Sequence, residues 1–341
     1  MQMVRPANFS HPVPEFPNFC LASILLLAAS VFAAGQSSLD EVHIAPVLPT
    51  PSASALPVAG PAVEKAMKVT SNLVLVPVTI TDELNRVVVG LTPSNFRVLE
   101  DKKLQEIKHF FSEDQPSSIG IILDVSSSMK EKIEWARDAV KNLLRTANPQ
   151  DEFFLISFAD SPELLADFTH SIDDVQNRLV TVCPRGRTSL LDAVYLGVSK
   201  MRQAHLHRKA LVIISDGGDN HSRYTESEIT SLVKEADVVI YAIGIYDRYF
   251  PSEEERLGPE LLSDISRLTG GTAFVLDNPT SLPTAALTIS NQLRYQYVLG
   301  YRPENRRDDG KWRKIKVTLK LPKGISRLFV SAKSGYYAAL R

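Results

Sequence analysis

The chain of 341 residues contains 2 cysteines, Cys20 and Cys183. Loss of an N-terminal leader would remove the first, and a single remaining cysteine cannot form an internal disulfide. Covalent staples are thereby excluded as the source of stability. Cys183 has no histidine or other base beside it in sequence and reads as a small buried hydrophobe. The net charge is −1, so no global field attracts nucleic acid or an anionic membrane. The nearest basic stretch, Arg302 to Lys320, interleaves Arg and Lys with acidic and apolar residues, the pattern of a wet strand face rather than a phosphate track. Neither common glycine-rich phosphate loop occurs: Gly217-Gly218 follows an apolar run but lacks the Lys-Ser/Thr that a phosphate cradle needs. No internal repeat is apparent.

Apolar residues make up 44% and charged residues 23% of the chain, ordinary values for a globular protein with a substantial core. The uncharged run Leu21 to Ala34 is shorter than the roughly 20 residues that span a bilayer. Arg5 lies before it and the small residues Ala33-Ala34-Gly35 close it, so residues 1–35 read as a signal peptide with Gln36 as the mature N-terminus. This predicts export to the periplasm, the cell surface or the medium, with no transmembrane segment in the mature chain. An uncleaved anchor is the alternative. Residues 36–66 are rich in Pro, Ala and Ser and read as an extended linker.

Residues 67–115 change character. Leu73 to Thr81, Val87 to Val89, Phe96 to Glu100 and Gln105 to Phe111 read as four short strands separated by turn residues. Residues 294–341 offer partners for them: Tyr295 to Tyr301, Trp312 to Leu319, Leu328 to Ala332 and Gly335 to Tyr337. Short strands with open edges need such partners. The N- and C-terminal strands are therefore predicted to form one β-sandwich-like domain, interrupted by residues 116–293.

That central segment alternates strand and helix. Strands are predicted at 119–124, 152–158, 210–214, 238–243 and 272–275, with a short edge strand at 164–167. Helices are predicted at 130–145, 172–180, 190–205, 226–236, 259–269 and 281–292. In the first helix Ile133, Ala136, Ala139, Val140, Leu143 and Leu144 recur at helical spacing. Buried strands alternating with amphipathic helices imply an α/β fold, a Rossmann-like, doubly wound and mainly parallel sheet covered on both faces. Such sheets bind ligands outside the carboxyl ends of their strands.

Three segments fall at that edge. Asp124-Val125-Ser126-Ser127-Ser128 ends the apolar run Ile119 to Leu123, Gly186-Arg187-Thr188 precedes a helix, and Ser215-Asp216-Gly217 ends another strand. An acid and two hydroxyls on alternate positions of a strand-to-helix loop can converge on one hard cation. Oxygen donors of this kind suit Mg²⁺, Ca²⁺ or Mn²⁺ over Zn²⁺. The alternative is that Ser126 and Ser128 cap the following helix and Asp216 caps its own turn.

Asp124-x-Ser126-x-Ser128 resembles the metal-ion-dependent adhesion site of von Willebrand factor A domains, with Thr188 and Asp216 at the two later loops of that site. The flanking strands, Gln296 to Tyr301 and Trp312 to Ile315, further resemble exported bacterial proteins named only for containing such a domain. The resemblance implies a Mg²⁺ held by Asp124, Ser126, Ser128, Thr188 and Asp216, Ca²⁺ and Mn²⁺ being further candidates. The hydroxyls would bind directly, and the two acids largely through waters and hydrogen bonds. It implies a non-enzymatic adhesion module that captures a protein partner through an Asp or Glu carboxylate completing the metal shell. One departure stands out: the second loop commonly has two glycines before its Thr, and this chain has Arg187.

Two other functions compete. One is a structural subunit of an envelope assembly in which the metal stiffens the loop edge. The other is a metal-dependent hydrolase, which would need a general base beside the metal or a histidine poised on a serine. His170, His205, His207 and His221 are present, but none has diagnostic spacing with Ser127. Asp160, Asp192, Asp219, Asn220 and His221 near the site read as turn or helix residues rather than further ligands. Tyr246, Tyr249 and Phe250, before Glu253-Glu254-Glu255, form an aromatic-rich loop that suits either a partner or local packing.

Overall fold

The computed structural model describes residues 73–112, 114–246, 253–321 and 327–340. The leader, the linker, Cys20, Tyr249 and Phe250 lie outside these residues, as do the side chains of Glu253, Glu254 and Glu255. In chain order the first strands are β1 (Val74–Thr81), β2 (Phe96–Glu100), β3 (Lys103–Gln105), β4 (Ile107–Phe111) and β5 (Ser117–Asp124). Next come α1 (Ile133–Arg145), β6 (Glu152–Phe158), β7 (Pro162–Thr169), α2 (Ile172–Val180), α3 (Leu190–Met201) and β8 (Arg208–Ser215). Then follow α4 (Glu226–Glu235), β9 (Val239–Ile245), α5 (Glu253–Thr269), β10 (Ala273–Leu276) and α6 (Leu282–Arg294). The last strands are β11 (Tyr297–Tyr301), β12 (Trp312–Leu319), β13 (Phe329–Ala332) and β14 (Gly335–Tyr337).

The central segment forms a six-stranded sheet in the order β10-β9-β8-β5-β6-β7. All pairings are parallel except that of β7, which runs antiparallel to β6 at one edge. Every residue of β5 is buried, because helices cover both faces. Successive side chains then serve different cores. Ile119, Ile121 and Leu123 pack with α1, α2 and α6, while Ile122 packs with Phe154, Leu211 and the helices α3, α4 and α5. Burial of each such aliphatic side chain contributes about 1.5–3 kcal/mol, so β5 is a firm base for the loop that leaves it. From β5 the chain first adds strands on one side and then returns to add β8, β9 and β10 on the other. The strand order thus reverses at β5, and a crevice at such a reversal is where open α/β sheets place ligands.

The terminal strands mix in two antiparallel four-stranded sheets, β13-β1-β11-β4 and β14-β12-β2-β3. Their inner faces share one apolar cluster. Val76, Val78, Ile80, Tyr297, Leu299 and Tyr301 come from one sheet, and Phe96, Val98, Ile315 and Val317 from the other. A buried carboxylate bridges the layers: Tyr301 and Tyr336 donate their hydroxyls to Glu100 Oε2 at 2.7 and 2.9 Å. Burial and this carboxylate hold both phenols well above their ordinary pKa.

Several local expectations need correction. Val87 to Val89 is no strand and keeps one bridge, Thr81 to Val87. The segment hangs on Tyr297 instead, whose hydroxyl accepts from Leu91 N and donates to the Val88 carbonyl. The run Gln105 to Phe111 is broken, because β3 and β4 belong to different sheets. The first central helix starts at Ile133 after a short 3-10 turn over Ser127–Met129. The third ends at Met201 rather than 205, where the His205 main chain and ring both turn to the Glu152 carboxylate at 2.8 Å. The fifth begins at Glu253 and carries Pro259 inside it. Cys183 is exposed, not buried, with Val182 facing the core in its place. No helix among the described residues is long and apolar enough to cross a membrane.

Candidate functional site

Asp124 is the last residue of β5 and is fully buried. Its Oδ1 accepts from the Ser126 amide at 2.8 Å, and its Oδ2 accepts from Ser215 Oγ at 2.6 Å. The second bond ties the end of β5 to the end of β8, where Asp216 follows and is 1% exposed. Two buried carboxylates thus stand at the ends of neighbouring strands. Burial first, and the Asp216 charge second, push the Asp124 carboxyl up to about 7. Lys132 Nζ, in the turn before α1, stands 3.4 Å from Asp216 Oδ2 and offsets part of that charge.

Ser126 precedes the 3-10 turn but makes no side-chain capping bond. Its Oγ lies 3.0 Å from Ser128 Oγ. The alternative reading of these serines as helix caps therefore does not hold for Ser126. Two adjacent oxygens of an octahedral shell with metal–oxygen distances of about 2.0–2.1 Å stand about 2.9 Å apart. The hydroxyl pair is spaced for that role and is held together by its own hydrogen bond meanwhile.

The second loop is sewn to the first and the third. Ser127 N donates to the Gly186 carbonyl at 3.1 Å and Arg185 N to the Val125 carbonyl at 2.8 Å. Thr188, 5% exposed, accepts at its carbonyl from Asn220 N and His221 N, and its own amide donates to Asn220 Oδ1 at 3.0 Å. Gly186 has φ +73°, and a Cβ there would meet the Asp160 carboxylate at 2.3 Å. Gly217 has φ +78° and packs against the main chain of Gly258. Both loops turn where only glycine fits without strain.

Asp124, Ser126 and Ser128 thus form one cluster, Asp216 follows the Ser215 that bonds Asp124, and Thr188 is anchored to the same edge through its main chain. Among the described residues no three His, Cys, Asp or Glu side chains converge on a point. The donor set is two acids and three hydroxyls, which suits a hard divalent cation and not a thiolate or imidazole metal. Two buried acids, of which Asp216 raises the proton affinity of Asp124, favour such a cation, because the alternative is to protonate one of them.

Other residues of the rim have structural tasks. Asp219 Oδ2 accepts from Leu191 N and Ser222 Oγ at 2.8 and 2.6 Å, holding the start of α3. Asp192 accepts from the amides of Arg223 and Tyr224 and from Arg223 Nε. Asp219 and Asn220 are therefore loop anchors rather than solvated turn residues. Arg187 is half held: its amide and Nε donate to Asp160 Oδ1 at 3.1 and 3.3 Å, and its Nη2 lies 3.0 Å from His221 Nε2. These bonds keep the Asp160 carboxyl below its ordinary pKa. Two neighbours were not legible in sequence, Lys132 and the hydroxyl of Ser215, because both act on an acid that only folding brings near.

Residues 119–218 match the family model for the von Willebrand factor type A domain. An uncharacterized protein of Borreliella burgdorferi is 22% identical over 200 residues, covering 52% of this chain and 58% of that protein. The chain thus spans less than two thirds of that relative. The solved von Willebrand factor type A protein of Catenulispora acidiphila shares 12% identity at a TM-score of 0.46, covering 80% of this chain and 75% of its own. Proximal thread matrix protein 1 of the mussel byssus, described with a zinc-occupied adhesion motif, shares 16% identity at a TM-score of 0.46, covering 57% and 49%. With its six-stranded sheet, helices on both faces and three loops gathered at the carboxyl ends of β5 and β8, the central segment of this chain has the fold of a von Willebrand factor type A domain, and residues 119–218 within it match that family's model.

Proposed function

We propose that this protein is a non-enzymatic, extracytoplasmic binding module that captures a protein partner through a divalent cation at the carboxyl edge of its central sheet. The observation that carries the reading is the pair Ser126 and Ser128, two hydroxyls 3.0 Å apart beside two buried acids, with Ser126 unused as a cap. Ser126, Ser128 and Thr188 would hold the ion directly, while Asp124 and Asp216 would orient hydroxyls and waters around it. Mg²⁺ fits the hydroxyl spacing best, and Ca²⁺ and Mn²⁺ satisfy the same donor chemistry. Neutral direct ligands leave a bound cation electrophilic, so an Asp or Glu carboxylate of a partner completes its shell. The extracytoplasmic placement rests on the N-terminal apolar segment.

The chain's own residues do three things here. Ser215 and the Ser126 amide hold the Asp124 carboxylate in one orientation. The loop-to-loop bonds fix Thr188 near the first loop before any partner arrives. Arg187, on the rim and 62% exposed, presents a positive charge to an acidic visitor. Calorimetric titration of the protein with Mg²⁺, Ca²⁺, Mn²⁺ and Zn²⁺ tests the ion, and an immobilised bait of this protein in Mg²⁺ or in chelator tests the capture. Partner retention unchanged by chelator, or by Thr188→Ala, rejects the mechanism. Absence of an Mg²⁺ titration that Asp124→Ala abolishes rejects the site.

A further inference from the structure

The opposite, amino-terminal edge of the central sheet closes against the sheet β13-β1-β11-β4, and a cavity of about 310 Å³ lies between them. Leu75, Phe111 and Val298 form one wall, and Val233, Val239 and Leu268 the other. Volumes from about 300 Å³ upward hold small molecules, and such sites favour junctions between structural units. This edge is the far pole of β5 and β8 from Asp124 and Asp216 and has no part in the function proposed above.

Charge on the lining is mostly of one sign. Arg208, Lys209, Lys234 and Lys333 stand against the single carboxylate of Asp237. Arg208, at the start of β8, donates its Nη1 to the Gln115 carbonyl at 3.2 Å and its Nη2 to the Leu293 carbonyl. Its hydrogen bonds thus go to main-chain oxygens, and burial lowers its pKa from the ordinary arginine value against the opposing pull of Asp114 and Asp151, which lie outside the lining. Lys209 donates to the Met201 carbonyl at 3.1 Å, and Lys234 lies over the Trp312 ring at 5.8 Å. Only Lys333 has a carboxylate of the lining in contact, Asp237 at 3.3 Å. Gln296 also lines the cavity, is 6% exposed, and its Nε2 has no partner. Buried donors of this kind ordinarily find an acceptor, and surplus positive charge selects an anionic one.

We infer that this cavity binds a small amphipathic anion, its apolar body between the two sheets and its carboxylate turned to Arg208, Gln296 and the neighbouring lysines. The apolar walls alone would admit a neutral molecule as well. The unsatisfied amide and the excess of cations are what favour an acid over an alcohol or an amine of the same length.

The experiment uses the full chain in chelator, so that a cation at the other pole cannot contribute, and titrates it with decanoate, decanol and decylamine by calorimetry. Decanoate is expected to saturate at one per chain, decanol to bind at least tenfold more weakly, and decylamine to give no saturable heat. Leu75→Trp, which narrows the cavity, and Arg208→Gln should each weaken decanoate about tenfold, and Lys333→Gln, at the mouth, about threefold. The last variant keeps the test valid if Arg208→Gln disturbs folding. Absence of saturable decanoate binding, equal binding of decylamine, or a decanoate affinity unchanged in Leu75→Trp and Lys333→Gln overturns the inference.

Discussion

The two ends of the central sheet solve opposite electrostatic problems. At the carboxyl edge, Asp124 and Asp216 are buried together with Lys132 as the neighbouring cation, and hydroxyls crowd around them. At the amino edge, Arg208 is half-buried, bonded to carbonyls, with lysines about it and apolar walls beyond. The first site is lined by acids in excess and the cavity at the amino edge by cations in excess. Both poles are built from the ends of the same strands, so the contrast comes from the loops and neighbours and not from the sheet. The lesson is that a parallel sheet supplies position at both ends, while chemistry is written by whatever closes over each end.

The largest expected effect breaks the comparison at one pole only. Asp124→Ala should abolish Mg²⁺ binding, at least a hundredfold in affinity, while the far-UV circular dichroism and decanoate affinity stay as in the parent. Loss of both ligands together would mean that the two ends are not independent.

The pH dependence comes next. The Asp124 carboxyl is raised to about 7 in the folded, metal-free protein, above the ordinary 3.8. Between these values the folded state holds a proton that the unfolded chain has released, so stability falls as pH rises through this window. Below it the contribution is fully present. Thermal unfolding in chelator should therefore show a melting temperature that drops from pH 5 to pH 8. Saturating Mg²⁺ should restore it most at the upper end, and Mg²⁺ affinity should weaken about tenfold per pH unit below about 7, as expected for one competing proton. A flat profile in chelator would remove the buried acid pair as the organising feature of this edge.

Smaller effects sharpen the picture. Gly186→Ala forces a side chain into a left-handed turn against Asp160, a cost of about 1–2 kcal/mol. It should appear as a lower denaturant midpoint and a weaker Mg²⁺ titration. Lys132→Met removes the ammonium 3.4 Å from Asp216 Oδ2 and should tighten Mg²⁺ about three- to tenfold, since a bound cation then no longer shares that carboxylate. Unchanged or weaker Mg²⁺ binding in this variant would show that the lysine orients the acid rather than competing for it.

How much of this could be read beforehand varies by region. The central strands were legible because continuous apolar runs such as Ile119 to Leu123 have no stable place except a sheet covered on both faces. The helix stripe from Ile133 to Leu144 was legible for the same reason of periodicity. The terminal strands were harder. Gln105 to Phe111 alternates as one strand would, yet the chain leaves one layer and joins the other within it. Val87 to Val89 has strand-forming side chains, but a turn at Asn85, with φ +58°, and the hydroxyl of Tyr297 lead it away from a ladder. Propensity is local, and residues about 200 positions distant contributed to both outcomes.

The sequence by itself determined the alternation of buried strands and amphipathic helices, and it put an acid or hydroxyls at the ends of the right runs, because side-chain periodicity and strand termini are local properties. Only the tertiary structure decided that Ser215 would grip Asp124, that Lys132 would reach Asp216, and that Ser126 would be left free of a capping bond. It alone made the cavity at the amino edge, whose walls come from segments as far apart as Leu75 and Val298. Charge and cavity shape depend on which groups are brought into contact and stripped of water, and that is a property of the folded chain and of no stretch within it.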